Sequence, residues 1–169
     1  MKNINKRVLL LIILWALCGI FLIVEKANAE IVNSEHLPWL QDRCAIYNVP
    51  MEIVLAVAIV ESGFKMVISK PNSNNSFDVG IMQLNSRYLN YYAKTFWYKD
   101  RVFDANEPKD NIEMGILILK NLYRQTGNWD LAVQAYNVGC SKLKQDPESG
   151  KSYLVKVINV LNTLELRKM

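Results

Sequence analysis

The chain has 169 residues, of which 51% are hydrophobic, and a formal net charge of +4. Residues 1–29 hold four basic residues and one acidic residue, which leaves 16 basic and 15 acidic residues, or +1, in residues 30–169. So balanced a charge, without a clustered basic face, argues against nucleic acid as a partner. The 140 residues that remain after residue 29 have the size of one small domain.

The amino terminus has the features of a secretory signal peptide. Its apolar run, residues 8–24, follows the basic residues Lys2, Lys6 and Arg7, and the small-x-small site Ala27-Asn28-Ala29 comes after it. This order predicts cleavage after Ala29 and export to the periplasm or cell envelope. Because the run is 17 residues long, the alternative is an uncleaved anchor in the inner membrane. We expect no other contact of the chain with a membrane.

Residues 30–169 are predicted to be mostly helical, in a single domain. Apolar spacing and capping residues predict helices over 37–47, 50–62, 110–124, 129–136 and 153–164, and another that is capped by Asn85 or Ser86 and continues to residue 92. The stretch 63–79 is rich in asparagine and serine and predicts a loop, which has room for a short β-hairpin.

Glu61 is the most informative residue, because it follows eight apolar residues, 53–60, at the predicted end of a helix. Apolar surroundings and the negative end of the helix dipole both disfavour an ionised carboxylate. The pattern therefore predicts a carboxylic acid that is still protonated near neutral pH, as cleavage of a glycosidic bond requires. The alternative is an ordinary glutamate at a helix end with its carboxylate in water.

Five short motifs then follow in order along the chain. They are Glu61-Ser62-Gly63-Phe64, Gly80-Ile81-Met82-Gln83-Leu84-Asn85, Asn111-Ile112-x-x-Gly115, Ala135-Tyr136-Asn137-Val138-Gly139 and Tyr153-x-x-Lys156-Val157. Together they resemble the soluble lytic transglycosylase family over residues 37–161. The resemblance implies a lysozyme-like catalytic domain in residues 30–169. The sequence from Asp78 to Gln83 is similar to that of compact members of the family that accompany secretion systems and pili.

The resemblance also implies roles for single residues. Glu61 matches the sole catalytic acid, and Ser62 is expected to fix the turn after its helix and is a candidate for contact with substrate. Met82 and Gln83 match a pair that lines the cleft, although a methionine in an apolar stretch is more often core. Tyr136 matches a tyrosine whose hydroxyl faces the catalytic glutamate, and Asn137 matches its neighbour on the same wall; packing in a helical core is the alternative for Tyr136. Ser69 lies one place before the position of a substrate-contacting serine and is a candidate for the same contact.

The implied reaction is cleavage of peptidoglycan between N-acetylmuramic acid and N-acetylglucosamine, leaving a 1,6-anhydro end. One alternative is hydrolysis by a muramidase, for which Asp78 is the candidate second carboxylate; hydrogen bonding to nearby backbone is the favoured alternative for Asp78. Goose-type lysozymes carry an aspartate at the position of Asn85, and this difference argues against hydrolysis. A further alternative is a peptidoglycan-binding assembly module without catalysis.

No cofactor or metal ion is expected, because His36 is the only histidine and no phosphate-binding loop is present. The expected partners are peptidoglycan glycan strands and, from the narrower resemblance, a secretion or pilus apparatus. Aromatic residues Tyr91, Tyr92, Phe96, Trp97 and Tyr98 are candidates for sugar stacking, although closing a core is the commoner role. Outside the cytoplasm Cys44 and Cys140 could form a disulfide, but the sequence does not show that they meet.

Overall fold

The computed structural model describes residues 34–95 and 103–165. The chain divides into two units, Met1–Leu37 and Pro38–Met169, and the fold below is that of the second. The predicted signal peptide or anchor, residues 1–29, lies outside the described residues. Among the helices that are described, none is long and apolar enough to cross a membrane.

The described residues are mostly helical, which confirms the predicted fold class. The helices are α1 (Leu37–Tyr47), α2 (Met51–Ser62), α3 (Leu89–Thr95), α4 (Pro108–Thr126), α5 (Trp129–Val138), α6 (Cys140–Gln145) and α7 (Lys151–Glu165). A short 3-10 helix, Ser86–Tyr88, precedes α3 and is capped by the Asn85 side chain. Strands β1 (Asp78–Val79) and β2 (Leu84–Asn85) pair antiparallel, with Asp78 opposite Asn85.

Most predicted helix ends agree with the structure, and the differences have local causes. Pro50 caps α2 and is not its first helical residue. Helix α4 begins at Pro108, two residues earlier than predicted, because a proline suits the first turn. Helix α6 was not predicted, since its six residues bury only Leu143 and are too short to show a helical period. The hairpin exists, but its second strand lies beyond the loop 63–79.

The core lies where helices α2, α4, α5 and α7 pack against one another. Helix α2 buries Val54, Leu55, Ala56, Val57 and Ala58 in succession, so it is surrounded by protein for more than a turn. Helix α7 packs on α2, and α5 packs on α4. Because the last turn of α2 ends at this packed centre, Glu61 enters a partly buried site.

The hairpin is held against α4 by the buried side chain of Asn111. Its Oδ1 accepts the Met82 N–H at 2.8 Å, while its Nδ2 donates to the Val79 carbonyl at 2.9 Å and the Ala105 carbonyl at 2.8 Å. Gly80 has φ +82°, and a Cβ there would lie 2.1 Å from Asn111 Nδ2. Asn111 and Gly80, which belong to two separate motifs, therefore pack against each other and fix the hairpin on α4.

Candidate active site

A cleft of about 660 Å³ contains Glu61 together with residues from the hairpin, α3, α4 and the α5–α6 junction. The hairpin, the 3-10 helix and α3 supply, among others, Asp78, Gln83, Asn85, Tyr88, Tyr91 and Tyr92. The opposite wall comes from Ile118, Asn121, Leu122 and Gln125 of α4 and from residues 135–141. The polar side chains that line this cleft together with Glu61 are thus neutral or acidic.

Glu61 occupies the last turn of α2 because the chain leaves the helix two residues later. Gly63 adopts the left-handed conformation, with φ +66°, and its N–H bonds back to the helix. Glycine is suited to this helix end because it has no Cβ to strain the backbone. The Tyr153 hydroxyl of α7 donates a hydrogen bond to Glu61 Oε1 at 2.5 Å, which fixes the carboxyl group in the cleft.

Burial raises the pKa of Glu61 from 4.5 to about 7. The hydrogen bond from Tyr153 opposes this rise by stabilising the carboxylate, the charge of Asp78 adds to it, and Lys156 also opposes it. The direction agrees with the prediction made from the apolar run before Glu61. At neutral pH, a substantial fraction of the molecules carries a proton that Glu61 can donate.

The tyrosine that bonds to Glu61 is not the one that was predicted to face it. Tyr136 lines the cleft, but its hydroxyl donates to the Met82 carbonyl at 2.7 Å and not to Glu61. Burial, followed by the charge of Glu61, raises the pKa of the Tyr136 hydroxyl well above its usual value. The direct donor to Glu61 is Tyr153, which belongs to a quoted motif but had no predicted role. Sequence reasoning missed it because the two residues lie 92 positions apart.

The side chain of Met82 does not line the cleft, and that prediction is wrong. Met82 has no exposed surface and packs on α4 at Gly115, where an added Cβ would lie 2.6 Å from Met82 Cγ. Gln83 does line the cleft and has φ +46°. Its Nε2 donates to the Gly80 carbonyl at 2.8 Å and to the Val67 carbonyl at 3.1 Å, so the amide group also stabilises the hairpin.

Neither of the two predicted serines is among the residues that line the cleft: Ser62 is the last residue of α2, and Ser69 lies in the loop before β1. Ser62 Oγ lies 2.7 Å from the Ile81 carbonyl and accepts the Lys65 N–H at 3.1 Å, which fixes the turn as predicted. Ser69 Oγ accepts the Asp78 N–H at 2.8 Å. Because this hydroxyl is used within the fold, the weak prediction that Ser69 contacts substrate finds no support in its position.

Asp78 is the second carboxylate of the cleft. Its Oδ1 accepts the Asn85 side-chain amide at 2.8 Å, and its Oδ2 accepts that of Asn72 at 3.3 Å. The expectation that the Asp78 carboxylate bonds to backbone is therefore wrong: its partners are side-chain amides. Asn85 holds Asp78 from the opposite strand of the hairpin. The Asp78 charge reaches Glu61 and contributes to its raised pKa.

Comparison with known proteins agrees with this geometry. Residues 39–158 match the Transglycosylase SLT domain family. The chain belongs to this family. The match covers more than half of the chain and includes Glu61, the hairpin and most of α7.

Two curated relatives and one solved structure illustrate the similarity of this SLT domain. Protein IpgF of Shigella sonnei is 30% identical over 59% of this chain and 64% of IpgF. Invasion protein IagB of Salmonella typhimurium (strain SL1344) is 30% identical over 64% of this chain and 66% of IagB. The matched part thus spans just under two thirds of each relative.

The solved structure is that of lytic transglycosylase Slt from Pseudomonas aeruginosa. It gives a TM-score of 0.61 at 20% identity and covers 75% of this chain and 23% of that chain. At this level of identity the likeness shows the fold, and the predicted lysozyme-like fold is confirmed.

Several residues that line the cleft of this SLT domain were not predicted from the sequence. On α4 they follow a helical spacing, Ile118, Asn121, Leu122 and Gln125, which places them on one face. Tyr88, which was not predicted, and Tyr91, which was, line the cleft and are 50% and 60% exposed. The spacing of three residues between Tyr88 and Tyr91 was the sequence signal that could have placed both rings on the same side of the chain. Of the five predicted aromatic candidates, Tyr91 and Tyr92 line the cleft, and Phe96, Trp97 and Tyr98 lie outside the described residues.

The two cysteines of residues 30–169 are free in the structure, so the disulfide is not formed. Cys44 is buried in α1, and burial raises the pKa of its thiol to about 12. Cys140 begins α6 and lines the cleft, whereas Cys44 lines a separate pocket beside Trp129. Among the residues that the structure describes, no three His, Cys, Asp or Glu side chains form a group that could hold a metal ion.

Proposed function

We propose that the chain is an exported lytic transglycosylase that cleaves peptidoglycan between N-acetylmuramic acid and N-acetylglucosamine. The observation that carries the proposal is Glu61, a partly buried carboxyl group with a pKa of about 7 that accepts a hydrogen bond from Tyr153 in a large cleft. A group with this pKa can be an acid in one step and a base in the next at neutral pH. The related P. aeruginosa Slt is described as inactive when a glutamate is replaced by glutamine.

The chemistry of the cleft wall suits a glycan strand. The side-chain amides of Asn72, Gln83, Asn121, Gln125 and Asn137 line it. Amides both donate and accept hydrogen bonds, as the hydroxyl and acetamido groups of amino sugars require. The exposed rings of Tyr88 and Tyr91 add apolar faces on which sugar rings can stack.

In the first step, the Glu61 carboxyl proton is transferred to the oxygen that bridges the two sugars. The bond between the muramic anomeric carbon and this oxygen breaks, and N-acetylglucosamine leaves with a new hydroxyl group. The muramic 2-acetamido oxygen supports the positive charge that develops at the anomeric carbon. Tyr153 donates its hydrogen bond to the Glu61 carboxylate that this step creates, and the charge of Lys156 stabilises the same form.

In the second step, the Glu61 carboxylate removes the proton from the 6-hydroxyl of the same muramic acid. The 6-oxygen bonds to the anomeric carbon and closes the 1,6-anhydro ring, and Glu61 regains its proton. Because the attacking group belongs to the substrate, the attack is intramolecular and its entropic cost is low. One carboxyl group thus completes the reaction without consuming water.

Hydrolysis is the second candidate function, and the position of Asp78 favours it. A second carboxylate in the same cleft, held by Asn85 and Asn72, is suited to orient a water or to stabilise a sugar cation. A muramidase would use Glu61 as the acid and Asp78 in one of these roles. A binding module without catalysis is the third candidate, and the raised pKa of Glu61 argues against it.

Export and association with an apparatus complete the proposal. The signal-like residues 1–29 support export, with cleavage or with anchoring through residues 8–24. The relative IagB is an invasion protein by name. By this similarity we infer that the present chain opens peptidoglycan for a secretion or pilus apparatus.

Digestion of purified sacculi by the full-length chain, followed by mass spectrometry of the released muropeptides, tests the proposal. Glu61→Gln and Asp78→Asn are the matched variants, because both replace a carboxylate by an amide of similar shape. A transglycosylase releases anhydromuramic ends, each lighter by one water than a reducing end. We expect these ends from the wild type and from none of the Glu61→Gln digests.

Each other result points to a different function. Reducing ends that disappear in both variants would establish the muramidase with Asp78 in its mechanism. No release by a wild type that binds sacculi and unfolds cooperatively would favour the binding module.

A further inference from the structure

A third extended segment lies beside the hairpin and has an open outer edge. We call residues 66–70 the edge segment. Ile68 forms an antiparallel bridge with Val79 of β1. The bridge is made by the Ser69 N–H to the Asp78 carbonyl at 2.9 Å and by the Gly80 N–H to the Val67 carbonyl at 2.7 Å. In this pattern the N–H and carbonyl of Ile68 itself point away from β1.

The outward groups of Ile68 are available to another chain. Within residues 34–95 and 103–165, the structure gives no hydrogen-bond partner for the Ile68 N–H or carbonyl. The Ile68 side chain is 65% exposed, and its neighbours Met66 and Val67 are exposed as well. An unpaired backbone N–H and carbonyl beside exposed apolar side chains can start the ladder by which an extended peptide adds as a new strand.

The charge of this region selects the kind of strand that can bind. Residues 62–77 contain two lysines, Lys65 and Lys70, and no acidic residue. A second copy of the chain would bring two positively charged edge segments together, and lysines at an edge discourage such pairing. A strand with acidic residues instead gains from opposite charges across the pair.

We propose that the edge segment is a docking site for an extended, acidic segment of a partner protein, which adds to the sheet on the side of the edge segment that faces away from β1. The Ile68 N–H and carbonyl would form the first rung of the new ladder, and Lys70 would face an acidic side chain. The Val67 carbonyl also accepts the Gln83 side-chain amide, so a strand bound here lies against the segment that holds one cleft residue. The proposal is independent of the reaction in the cleft.

The test uses the full-length chain and a synthetic acidic peptide of about ten residues, near the upper length of natural strands, in which valine alternates with glutamate and threonine. Amide hydrogen exchange, followed by NMR, reports on the Ile68 N–H. We expect saturating peptide to slow exchange at Ile68 by at least about tenfold. The Ser69 and Gly80 N–H groups, which are already bonded within the sheet, should change less. A peptide with lysine in place of glutamate should bind at least about tenfold more weakly.

Two variants separate strand addition from general attraction. Ile68→Pro removes the outward N–H and leaves the two bonds to β1 in place, so it should weaken acidic-peptide binding by about tenfold or more. Lys70→Glu keeps the backbone and should shift preference toward the lysine peptide, while Lys144→Glu on α6 is the matched charge reversal that should leave binding unchanged.

Three results would overturn the proposal. The first is unchanged exchange at Ile68 with saturating acidic peptide, and the second is equal binding of both peptides by the wild type and Lys70→Glu. The third is slowing at Ile68 without peptide that increases with protein concentration, which would assign the edge to a second copy of the chain. None of these measurements depends on glycan cleavage, so failure here is distinguishable from failure of the proposed enzyme.

Discussion

Replacing Glu61 by glutamine should stabilise the fold, and by an amount that depends on pH. The pKa of Glu61 is about 7 in the folded chain, against an ordinary value of 4.5. Since one pKa unit corresponds to about 1.4 kcal/mol, this difference is worth about 3 kcal/mol. Glutamine has nearly the same shape, carries no charge and can still accept the hydrogen bond from Tyr153.

The direction in which the free energy of unfolding changes with pH follows from the number of protons bound in the folded and unfolded states. Below pH 4.5 Glu61 is protonated in both the folded and the unfolded chain, and its contribution to stability is fully present. Between pH 4.5 and 7 the unfolded chain has lost the proton and the folded chain has kept it, so stability falls as pH rises. Above pH 7 the loss is complete. The difference in unfolding free energy between Glu61→Gln and wild type should therefore grow by about 3 kcal/mol across this window.

Urea unfolding of the full-length chain in a nonionic detergent, at steps from pH 4.5 to 8.5, measures this difference. Comparison of the variant with the wild type cancels groups that titrate in both. Glu52→Gln changes an exposed glutamate at the other end of the same helix, and any trend that it shares with Glu61→Gln is subtracted. If the Glu61→Gln difference stays constant over this pH range, the carboxyl group does not have a raised pKa and the argument for a catalytic acid fails.

Three further outcomes are expected. Tyr153→Phe removes the donor that stabilises the Glu61 carboxylate, so the alkaline limb of the pH profile of kcat/KM should move upward by up to about one unit, and an unmoved limb would contradict the proposed contact. Gly115→Ala should destabilise the fold by about 1–3 kcal/mol in urea unfolding, because its Cβ would lie 2.6 Å from Met82 Cγ; wild-type stability would show that the packing relaxes freely. Tyr91→Ala should raise KM for glycan strands severalfold with a smaller change in kcat, whereas a loss of kcat alone would place the ring elsewhere in the reaction.

Much of the fold could be predicted because its signals are local. The apolar run before Glu61 predicted a buried helix, and Gly127 and Asn128 predicted where α4 ends and α5 begins, since capping needs only neighbouring residues. The raised pKa of Glu61 was also predicted, because its largest cause is burial, which the apolar run before Glu61 indicates. Helix α6 was missed because six residues carry too little periodic signal.

The partners of the site residues were harder to predict, because each contact joins distant positions. Met82 and Gln83 are adjacent in sequence, yet a left-handed turn sends one side chain into the core and the other into the cleft. Tyr136 and Tyr153 both come from motifs, but only the packing of α7 on α2 shows which hydroxyl reaches Glu61.

The sequence by itself determined the helical class, the place of Glu61 at the end of an apolar helix and the order of the motifs, because composition, capping and apolar spacing act over a few residues. Only the tertiary structure decided that Asp78 shares the cleft, that Asn111 joins the hairpin to α4, that Cys44 and Cys140 remain unbridged and that Ile68 leaves a backbone edge open. Each of these depends on how elements far apart in the chain pack together, and side-chain distances across such contacts are set by the whole core and not by any local pattern.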